Sequence, residues 1–444
     1  RTEGTSVDVI PAPRSSGSVL KPLLYAAMLD NGTALPAMLF PDVPTYYRDF
    51  TPHNYNRTFD GAVPADRVVE RSLNVDKYGK ENFLALVRAL GFGTIDRSAA
   101  HYGLSLILGG AEISLWDLTS AYMKLAAKLN GRQTIRTPHY DPDGGTAVDA
   151  GDIPLSRGAI WLMANSISHV ARPEEEGEWQ YFSSSKKIGW KTGTSYGNRD
   201  AWAVGMTPDY AVGVWVGNCT GEGRPLMTGV GYAAPVLFEV FGLLPKGEWF
   251  AEPLGDLEPA VVCRQSGYLA SHICPDRDTV MIPRAAALGE VCPYHRIVNL
   301  SADLKYRVTA DCYDPARIVR MPMFILPPAQ EWYYRRQHPD YRPLPPLHPG
   351  LPGNRAENNP IDIIYPQSGR VLVAPRSLEG EQQSLVFTAV HRDRNAVLFW
   401  HIDDDYIGST SFEHKVSVRP APGKHRLTVI DEHGASQSVV FSCR

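Results

Sequence analysis

Apolar residues recur every three or four positions in four segments of the first half of the chain. These segments are 20–31, 82–91, 115–129 and 156–170, and alanine and leucine are frequent in them. A period of this length places the apolar side chains on one face of an α-helix. The pattern therefore predicts four helices.

Three β-prone runs follow the fourth helix, namely Lys187–Thr194, Ala201–Gly205 and Tyr210–Gly217. The last two flank Met206-Thr207-Pro208-Asp209, whose proline and aspartate are typical of a turn. They therefore predict an antiparallel hairpin. With the four helices, these runs indicate a mixed α/β domain over residues 1–247.

The end of the chain has a different pattern, in which short β-prone runs alternate with turn residues. Seven runs in under ninety residues are typical of an immunoglobulin-like β-sandwich, here predicted over 361–444. The runs are Ile361–Tyr365, Arg370–Val373, Ser384–Val390, Ala396–Ile402, Phe412–Val418, His425–Ile430 and Gln437–Ser442.

Residues 248–360 connect the two predicted domains and contain a cysteine cluster followed by a proline-rich stretch. Eleven prolines lie between Pro315 and Pro360. Because proline lacks an amide hydrogen and has a fixed φ, we expect no regular helix or central strand in 313–360. The aromatic residues of this stretch predict that it docks on a neighbouring part of the protein; they are Trp332, Tyr333, Tyr334 and Tyr341.

Composition narrows the function classes. The 444 residues are 43% hydrophobic and 21% charged, as in a soluble globular protein of two or three domains. The net charge of −4 provides no global basic field for nucleic acid. No apolar run approaches the ~18–20 residues that span a bilayer. The first residues lack a signal-peptide layout, so the chain is either cytosolic or a processed piece.

Four of the six cysteines lie close together in the sequence: Cys263, Cys274, Cys292 and Cys312. We favour a disulfide-bridged cluster in an oxidising compartment. The alternative is a zinc site formed by Cys263, Cys274, Cys292 and His295, because Cys292-Pro293-Tyr294-His295 has ligand-like spacing. Buried free thiols are the third interpretation.

The first chemical motif is Ser18-Val19-Leu20-Lys21. A helix that begins near Gly17 would place Lys21 one turn after Ser18 on the same face. A serine hydroxyl is a weak nucleophile until a base takes its proton, and a lysine held neutral by burial or a nearby cation can be that base. Alone the motif is weak, because one or two matches are expected by chance in a chain this long.

Two further motifs follow in the sequence. Ser72-Leu73-Asn74 is an S-x-N motif, and Lys191-Thr192-Gly193-Thr194 contains K-T-G. A lysine and threonine at the end of a strand offer a cation and a hydroxyl to a carboxylate, and the glycine allows close approach of a backbone. In the order S-x-x-K, S-x-N, K-T-G, the three are typical of penicillin-binding proteins and class A β-lactamases, which transfer acyl groups through a serine ester.

The chain resembles the transpeptidase part of class A penicillin-binding proteins, in particular the penicillin-binding protein 1C subfamily. The stretches that carry this resemblance are Arg14–Pro22, Arg71–Val75, Gly109–Leu115 and Gly189–Trp202. The terminal sandwich is similar to the C-terminal domain of that subfamily. The resemblance implies an α/β (α+β) penicillin-binding/serine β-lactamase-like domain, with an antiparallel sheet flanked by helices.

The resemblance also implies a role for each motif residue. Ser18 would attack the carbonyl between the last two D-alanines of a peptidoglycan stem peptide, with Lys21 as its base. Ser72 would relay the proton to the leaving amine, Asn74 would hold the acyl-side amide, and Lys191 would supply positive field.

Thr192, Gly193 and Thr194 would bind the terminal carboxylate and edge of the substrate, and the amides of Ser18 and Thr194 would form an oxyanion hole. An amine from a second stem peptide would then take the acyl group. A β-lactam would trap Ser18 as a stable ester, and no cofactor or catalytic metal is implied.

The resemblance further implies a bacterial cell-envelope protein on the periplasmic side, anchored in the inner membrane through a segment outside this chain. Any glycosyltransferase domain would also lie outside it, and the first transpeptidase strands look truncated before Ser18. The C-terminal domain would be a scaffold or would dock a cell-envelope protein; no nucleic-acid partner is implied.

Two alternatives remain. Glu70-Arg71-Ser72-Leu73-Asn74 fits an E-x-x-L-N deacylation pattern of β-lactamases, but such an enzyme needs a separate S-x-N before Glu70, and no serine lies between Ser18 and Glu70. The chain could also be a sensor that is acylated without turnover. Carboxypeptidase activity differs from crosslinking only in the acceptor.

Overall fold

The structure is a computed structural model that describes residues 8–44, 58–68, 78–103, 105–136, 147–149, 152–170, 172, 186–350, 359–373, 383–403 and 405–444. The chain divides into two compact units. The first comprises Arg1–Met38, Pro64–Leu269 and Arg277–Val291, and the second comprises Leu39–Val63, Ala270–Asp276 and Cys292–Arg444. The sequence-based division at residues 247 and 360 stays a prediction.

Helices and strands are numbered in chain order through the described residues. The helices are α1 (Lys21–Asp30), α2 (Ala65–Val68), α3 (Lys80–Leu90), α4 (Ala99–Tyr102), α5 (Ser105–Leu108), α6 (Leu115–Leu129), α7 (Arg157–Ser168), α8 (Ala234–Leu243) and α9 (Pro328–Gln337). The strands are β1 (Arg14–Ser15), β2 (Leu39–Asp42), β3 (Gly61–Pro64), β4 (Glu112–Ile113), β5 (Thr134–Arg136), β6 (Ala147–Asp149), β7 (Gly189–Thr194), β8 (Asp200–Met206), β9 (Ala211–Gly217), β10 (Leu257–Cys263), β11 (Arg277–Pro283), β12 (His295–Leu300), β13 (Val319–Phe324), β14 (Ile361–Tyr365), β15 (Val371–Leu372), β16 (Leu385–His391), β17 (Val397–Ile402), β18 (Asp405–Ser411), β19 (Lys415–Val418), β20 (Gly423–Asp431) and β21 (Ser436–Cys443).

The four predicted helices are confirmed as α1, α3, α6 and α7. Their ends follow local signals. The hydroxyls of Ser114 and Ser156 accept the amide hydrogens of Asp117 and Ala159, which caps the first turns of α6 and α7. No helix in the described part of the chain has the length and hydrophobicity needed to cross a membrane.

The first unit contains the antiparallel sheet β7-β8-β9. The predicted hairpin is confirmed by β8 and β9, which pair from Asp200–Gly217 to Met206–Ala211. One hydrophobic cluster of this sheet includes Trp190 of β7 and Phe241 of α8. Helix α6 packs against β9 and α7 packs against β7. Helices thus flank the sheet, as expected.

Helix α1 is buried along almost its whole length, from Lys21 to Leu29. It begins at Lys21, one residue inside the predicted segment 20–31, so the start near Gly17 that was considered for the S-x-x-K motif was wrong. The amide hydrogens of Val19 and Lys21 bond instead to the carbonyls of Ser16 and Ser18, which makes tight turns before the helix. Ser18 therefore lies just before α1.

The C-terminal part of the second unit is a β-sandwich, which confirms the predicted fold. Its sheets are β14-β16-β19 and β15-β21-β20-β17-β18, and one buried cluster that includes Phe387, Trp400 and Phe441 lies between them. The sequence pattern missed β18, because Asp405–Ser411 is mostly polar. Among the described strands it lies at the edge of its sheet and pairs with β17.

The proline-rich stretch contains strand β13 and helix α9, so the prediction of no helix was wrong. The helix begins at Pro328, and its next proline is Pro339, beyond its last residue Gln337. Proline is tolerated in the first turn, where its missing amide hydrogen has no helical acceptor. The predicted docking of the aromatic residues is confirmed in part: Trp332 packs beside Ala329, Ile364 and Val390 within the second unit.

None of the six cysteines, all of which lie in described segments, forms a disulfide in this structure. The predicted bridged cluster is therefore wrong. The thiols of Cys263, Cys274 and Cys292 are buried. The predicted zinc site is therefore still possible for them.

A buried ion pair fixes α9 within the second unit. The guanidinium of Arg392 donates to the carboxylate of Glu331, whose side chain is 1% exposed, and to the carbonyl of Leu326 at 2.8 Å. The Tyr341 hydroxyl donates to the same carboxylate at 3.3 Å. Removing one partner would leave the other charge buried and unpaired.

We therefore expect Glu331→Ala to lower the free energy of opening of α9 by about 3–5 kcal/mol. Hydrogen–deuterium exchange of the α9 amides, followed by mass spectrometry, measures this quantity. The control is Glu413→Ala, since Glu413 pairs with Lys415 at 3.4 Å on the exposed surface of the same unit. The Glu413→Ala variant should change the free energy of opening of α9 by less than about 1 kcal/mol. Equal effects of the two variants would contradict the role of the buried pair.

Candidate active site

Ser18 lies in the turn between β1 and α1, and local pairing fixes that turn. Strand β1 pairs antiparallel with β4, Arg14 opposite Ile113, and the Ser16 amide donates to the Ala111 carbonyl at 2.9 Å. The Ser18 side chain is half-buried. Its hydroxyl thus sits on a tightly held backbone with partial access to solvent.

Two glycines bring the Ser18 turn against β7. A Cβ atom added to Gly193 would lie 2.8 Å from the carbonyl oxygen of Ser16 and 3.1 Å from the amide nitrogen of Ser18. A Cβ atom on Gly17, whose φ is +53°, would lie 2.8 Å from the amide nitrogen of Thr194. Both positions therefore require glycine. The S-x-x-K and K-T-G motifs meet by direct contact of their main chains.

Lys21 is the first residue of α1 and is 5% exposed. Burial, and to a smaller extent the positive charge of Lys191, together lower the pKa of its ammonium to about 7. About half of the Lys21 side chains would thus be neutral amines at neutral pH. This is the property that a base for a serine hydroxyl requires.

Lys191 lies in β7 and is 6% exposed. Its ammonium donates to the carbonyl of Thr192 at 2.9 Å. Its positive charge is close enough to Lys21 to lower the pKa of that residue. The two lysines together make the site electropositive, which favours an anionic group on a ligand.

Thr192 and Thr194 are half-buried on β7. The Thr194 hydroxyl accepts the Gly229 amide hydrogen at 3.0 Å. A Cβ atom on Gly229 would lie 2.6 Å from the Gly193 carbonyl oxygen. This position therefore also requires glycine, because the two main chains lie close together. Sequence reasoning missed Gly229; the run Thr228-Gly229-Val230-Gly231 was the available signal.

Two aromatic side chains fasten the segment that carries Ser18. The indole of Trp202, on β8, donates to the Ser15 carbonyl at 2.8 Å, and the Tyr122 hydroxyl donates to the Val19 carbonyl at 3.5 Å. Trp202 lies in a stretch that carried the sequence resemblance. Tyr122 occupies an ordinary apolar position of α6, and no sequence signal marked it.

Ser195 and Asp200 brace the loop after β7. The Ser195 hydroxyl donates to the Asp200 carboxylate at 2.8 Å, and the Trp215 indole donates to the other oxygen at 3.0 Å. Asp200 is 5% exposed. These bonds fix the end of the strand that presents Thr194.

Ser72 and Asn74 lie outside the described residues. The structure therefore brings together Ser18, Lys21, Lys191 and the K-T-G strand, and the places of Ser72 and Asn74 stay predictions. The assembled groups are a hydroxyl nucleophile, a buried amine of lowered pKa, a second cation and hydroxyls of two threonines. This set can perform acyl transfer through a serine ester.

Comparison with known families agrees with this geometry. The family described as "Penicillin binding protein transpeptidase domain" matches residues 7–241, which is more than half of the chain. The "Penicillin-Binding Protein C-terminus Family" matches residues 352–441. These matches confirm the resemblance inferred from the motifs.

Among curated relatives, penicillin-binding protein 1C of Escherichia coli is 35% identical over 247 residues, covering 54% of this chain and 30% of that protein. Penicillin-binding protein 1F of Bacillus subtilis is 29% identical over 244 residues, covering 50% of this chain and 33% of that protein. The chain thus spans about a third of the length of these relatives.

Among solved structures, penicillin-binding protein 1A from Haemophilus influenzae superposes with a TM-score of 0.47 at 16% identity, covering 64% of this chain and 50% of that chain. PonA1 from Mycobacterium tuberculosis in complex with penicillin V gives a TM-score of 0.43 at 19% identity, covering 55% and 74%. On the family match over residues 7–241, the chain belongs to the penicillin binding protein transpeptidase domain family.

Proposed function

We propose that this chain carries a serine-type D-Ala-D-Ala transpeptidase that crosslinks stem peptides of peptidoglycan. The observation that carries the proposal is the contact of the Ser18 turn with the K-T-G strand, beside a lysine whose pKa is lowered to about 7. Membership of the transpeptidase family supports the same reaction. Peptidoglycan as substrate places the protein on the periplasmic side of a bacterial cell envelope.

In the proposed acylation, the neutral amine of Lys21 takes the proton of the Ser18 hydroxyl. The Ser18 oxygen attacks the carbonyl between the last two D-alanines, and the amides of Ser18 and Thr194 stabilise the resulting oxyanion. Lys21 passes this proton to Ser72, which gives its own proton to the leaving amine of the terminal D-alanine as the C–N bond breaks, so that Lys21 is neutral again. Asn74 holds the amide of the acyl part.

The terminal carboxylate of the donor peptide fits the electropositive end of β7. Thr192 and Thr194 provide hydroxyls there, Gly193 lets the strand edge approach the peptide backbone, and Lys191 provides charge. The half-buried state of both threonines keeps their hydroxyls within reach of a ligand. A β-lactam carries a carboxylate and a reactive amide in a similar relation, so it would acylate Ser18 in the same way.

In the second half of the reaction, an amine of another stem peptide attacks the Ser18 ester. The new amide bond forms, the ester bond breaks, and the proton released by the amine returns to the Ser18 oxygen through Lys21. Water in place of the amine would give a carboxypeptidase product.

We also propose that the C-terminal sandwich docks a cell-envelope protein, since small domains of this kind more often serve as scaffolds than as second active sites.

A fluorescent penicillin is expected to label the wild-type chain at one site and to leave Ser18→Ala unlabelled. The loss should reach about a thousandfold or more, because the nucleophile itself is removed. Denaturing gel fluorescence measures the labelled fraction. Ser184→Ala is the matched control, since Ser184 also heads an S-x-x-K match in the sequence, and it should label normally. Persistent labelling of Ser18→Ala would exclude Ser18 as nucleophile.

The rate of penicillin acylation is expected to rise with pH through a midpoint near 7, because the base form of Lys21 is the neutral amine. Lys191→Met removes one of the two influences that lower the Lys21 pKa, so the midpoint should move upward. It should stay below 10.5, since burial is the larger influence.

Stopped-flow acylation over a pH series measures this midpoint. Lys187→Met is the control because it removes the same charge at a residue whose ammonium donates to the Asn165 side chain at 3.0 Å. An unchanged midpoint in Lys191→Met, or an equal shift in both variants, would contradict the proposed coupling.

Stem peptide supplied with an amine acceptor is expected to give a crosslinked product, and its omission should leave slow hydrolysis. Mass spectrometry of the products separates the two. Hydrolysis alone, with acceptor present, would make the enzyme a carboxypeptidase. Sustained turnover of nitrocefin would instead indicate a β-lactamase.

A further inference from the structure

Three metal-ligating side chains meet inside the second unit, at residues that the acyl-transfer reaction does not use. The ligand atoms of Cys274, Cys292 and His295 all lie within 4.8 Å of one another. The three residues are 2%, 7% and 4% exposed. Two thiols and an imidazole, which are the side chains that zinc prefers, therefore meet at one buried point.

Two tight turns present these side chains. The amide of Cys274 donates to the Ser271 carbonyl at 3.2 Å, and the Ser271 amide donates back to the Cys274 sulfur at 3.3 Å. The Ser271 amide hydrogen therefore holds the orientation of the Cys274 sulfur, as outer-shell hydrogen bonds do for metal ligands. The second turn, Cys292-Pro293-Tyr294-His295, leads into β12 and directs both of its ligand side chains inward.

The spacing of the ligand atoms matches a tetrahedral zinc ion. The Cys292 sulfur lies 3.5 Å from Nδ1 of His295. In a tetrahedron with Zn–S of about 2.3 Å and Zn–N of about 2.0–2.1 Å, the S···N edge is about 3.5 Å. Two thiolates and an imidazole form a soft ligand set that favours zinc over magnesium or calcium.

We infer that Cys274, Cys292 and His295 bind a structural zinc ion. On binding, the two thiols release their protons to solvent and the sulfurs become thiolates, while His295 coordinates through Nδ1 and keeps its proton on Nε2. A structural zinc site takes four ligands. The sequence spacing names Cys263 as the fourth, and a variant of that residue tests this part of the inference.

The zinc ion would join the segment around Cys274 to the turn before β12, which are separated along the chain but belong to the same unit. A metal that binds only the folded arrangement stabilises it. The inference is independent of the proposed acyl transfer, because Ser18 and Lys21 take no part in the cluster.

The experiment measures the metal content of the full chain after purification with a non-thiol reductant and without chelator. Inductively coupled plasma mass spectrometry of the wild-type chain should find about one zinc ion per chain. Cys292→Ser and His295→Ala should each lower this to below about a tenth, and His295→Cys should retain zinc because cysteine can replace the imidazole. Loss on Cys263→Ser would make Cys263 the fourth ligand; retention would remove it from the site.

Cys312→Ser and Cys443→Ser are the matched controls, since they remove cysteines outside the cluster, and they should keep the zinc. Replacement of the zinc by Co²⁺ in the wild-type chain adds a readout that needs no variant. Intense d–d bands and a thiolate-to-cobalt charge-transfer band are expected for a tetrahedral site with sulfur ligands. Circular dichroism distinguishes a folded variant without zinc from an unfolded one.

Three results would overturn the inference. The first is a wild-type chain that holds no zinc and gives an octahedral cobalt spectrum. The second is zinc that persists in Cys292→Ser and His295→Ala. The third is a disulfide between Cys274 and Cys292, found by peptide mapping without reduction, because a disulfide removes both thiolates.

Discussion

The structure of the site depends on one main-chain contact. The turn that carries Ser18 touches β7 through Gly17 and Gly193, where neither position has room for a Cβ atom. The rest of the first unit holds this contact in place: α1 is buried behind the turn, and the Trp202 indole bonds to the Ser15 carbonyl. The proposed acyl transfer at the Ser18 hydroxyl would require this rigidity, because small displacements of reacting groups reduce rates strongly.

The fold could largely be predicted from the sequence, because its elements follow the period of their hydrophobic residues. The helix predicted over 115–129 is observed as Leu115–Leu129, and the other three predicted helices end within two residues of their predicted bounds. The hairpin of β8 and β9 followed from a turn between two apolar runs. The helix α9 was missed because proline counts ignore position, and Pro328 occupies the first turn, where it is tolerated.

Sequence analysis predicted the residues whose motif indicates a chemical role. It missed the residues that are linked to the site only by tertiary contacts. Ser18, Lys21 and Lys191 were predicted from three motifs in a characteristic order, and the structure brings these three residues together. Gly229 donates a hydrogen bond to Thr194, and Tyr122 donates one to Val19. Both residues are distant from their partners along the chain, so the local sequence does not predict these contacts. The low pKa of Lys21 likewise follows from burial, which a motif does not report.

The glycine contact also limits how this site can change during evolution. An added methyl group at position 17 or 193 would meet main-chain atoms, which cannot rotate away as a side chain can. Substitution at these two positions would therefore require the main chain itself to shift. Sequence change near Ser18 is therefore freer at residues that already carry a side chain, such as the half-buried Thr192, than at these two glycines.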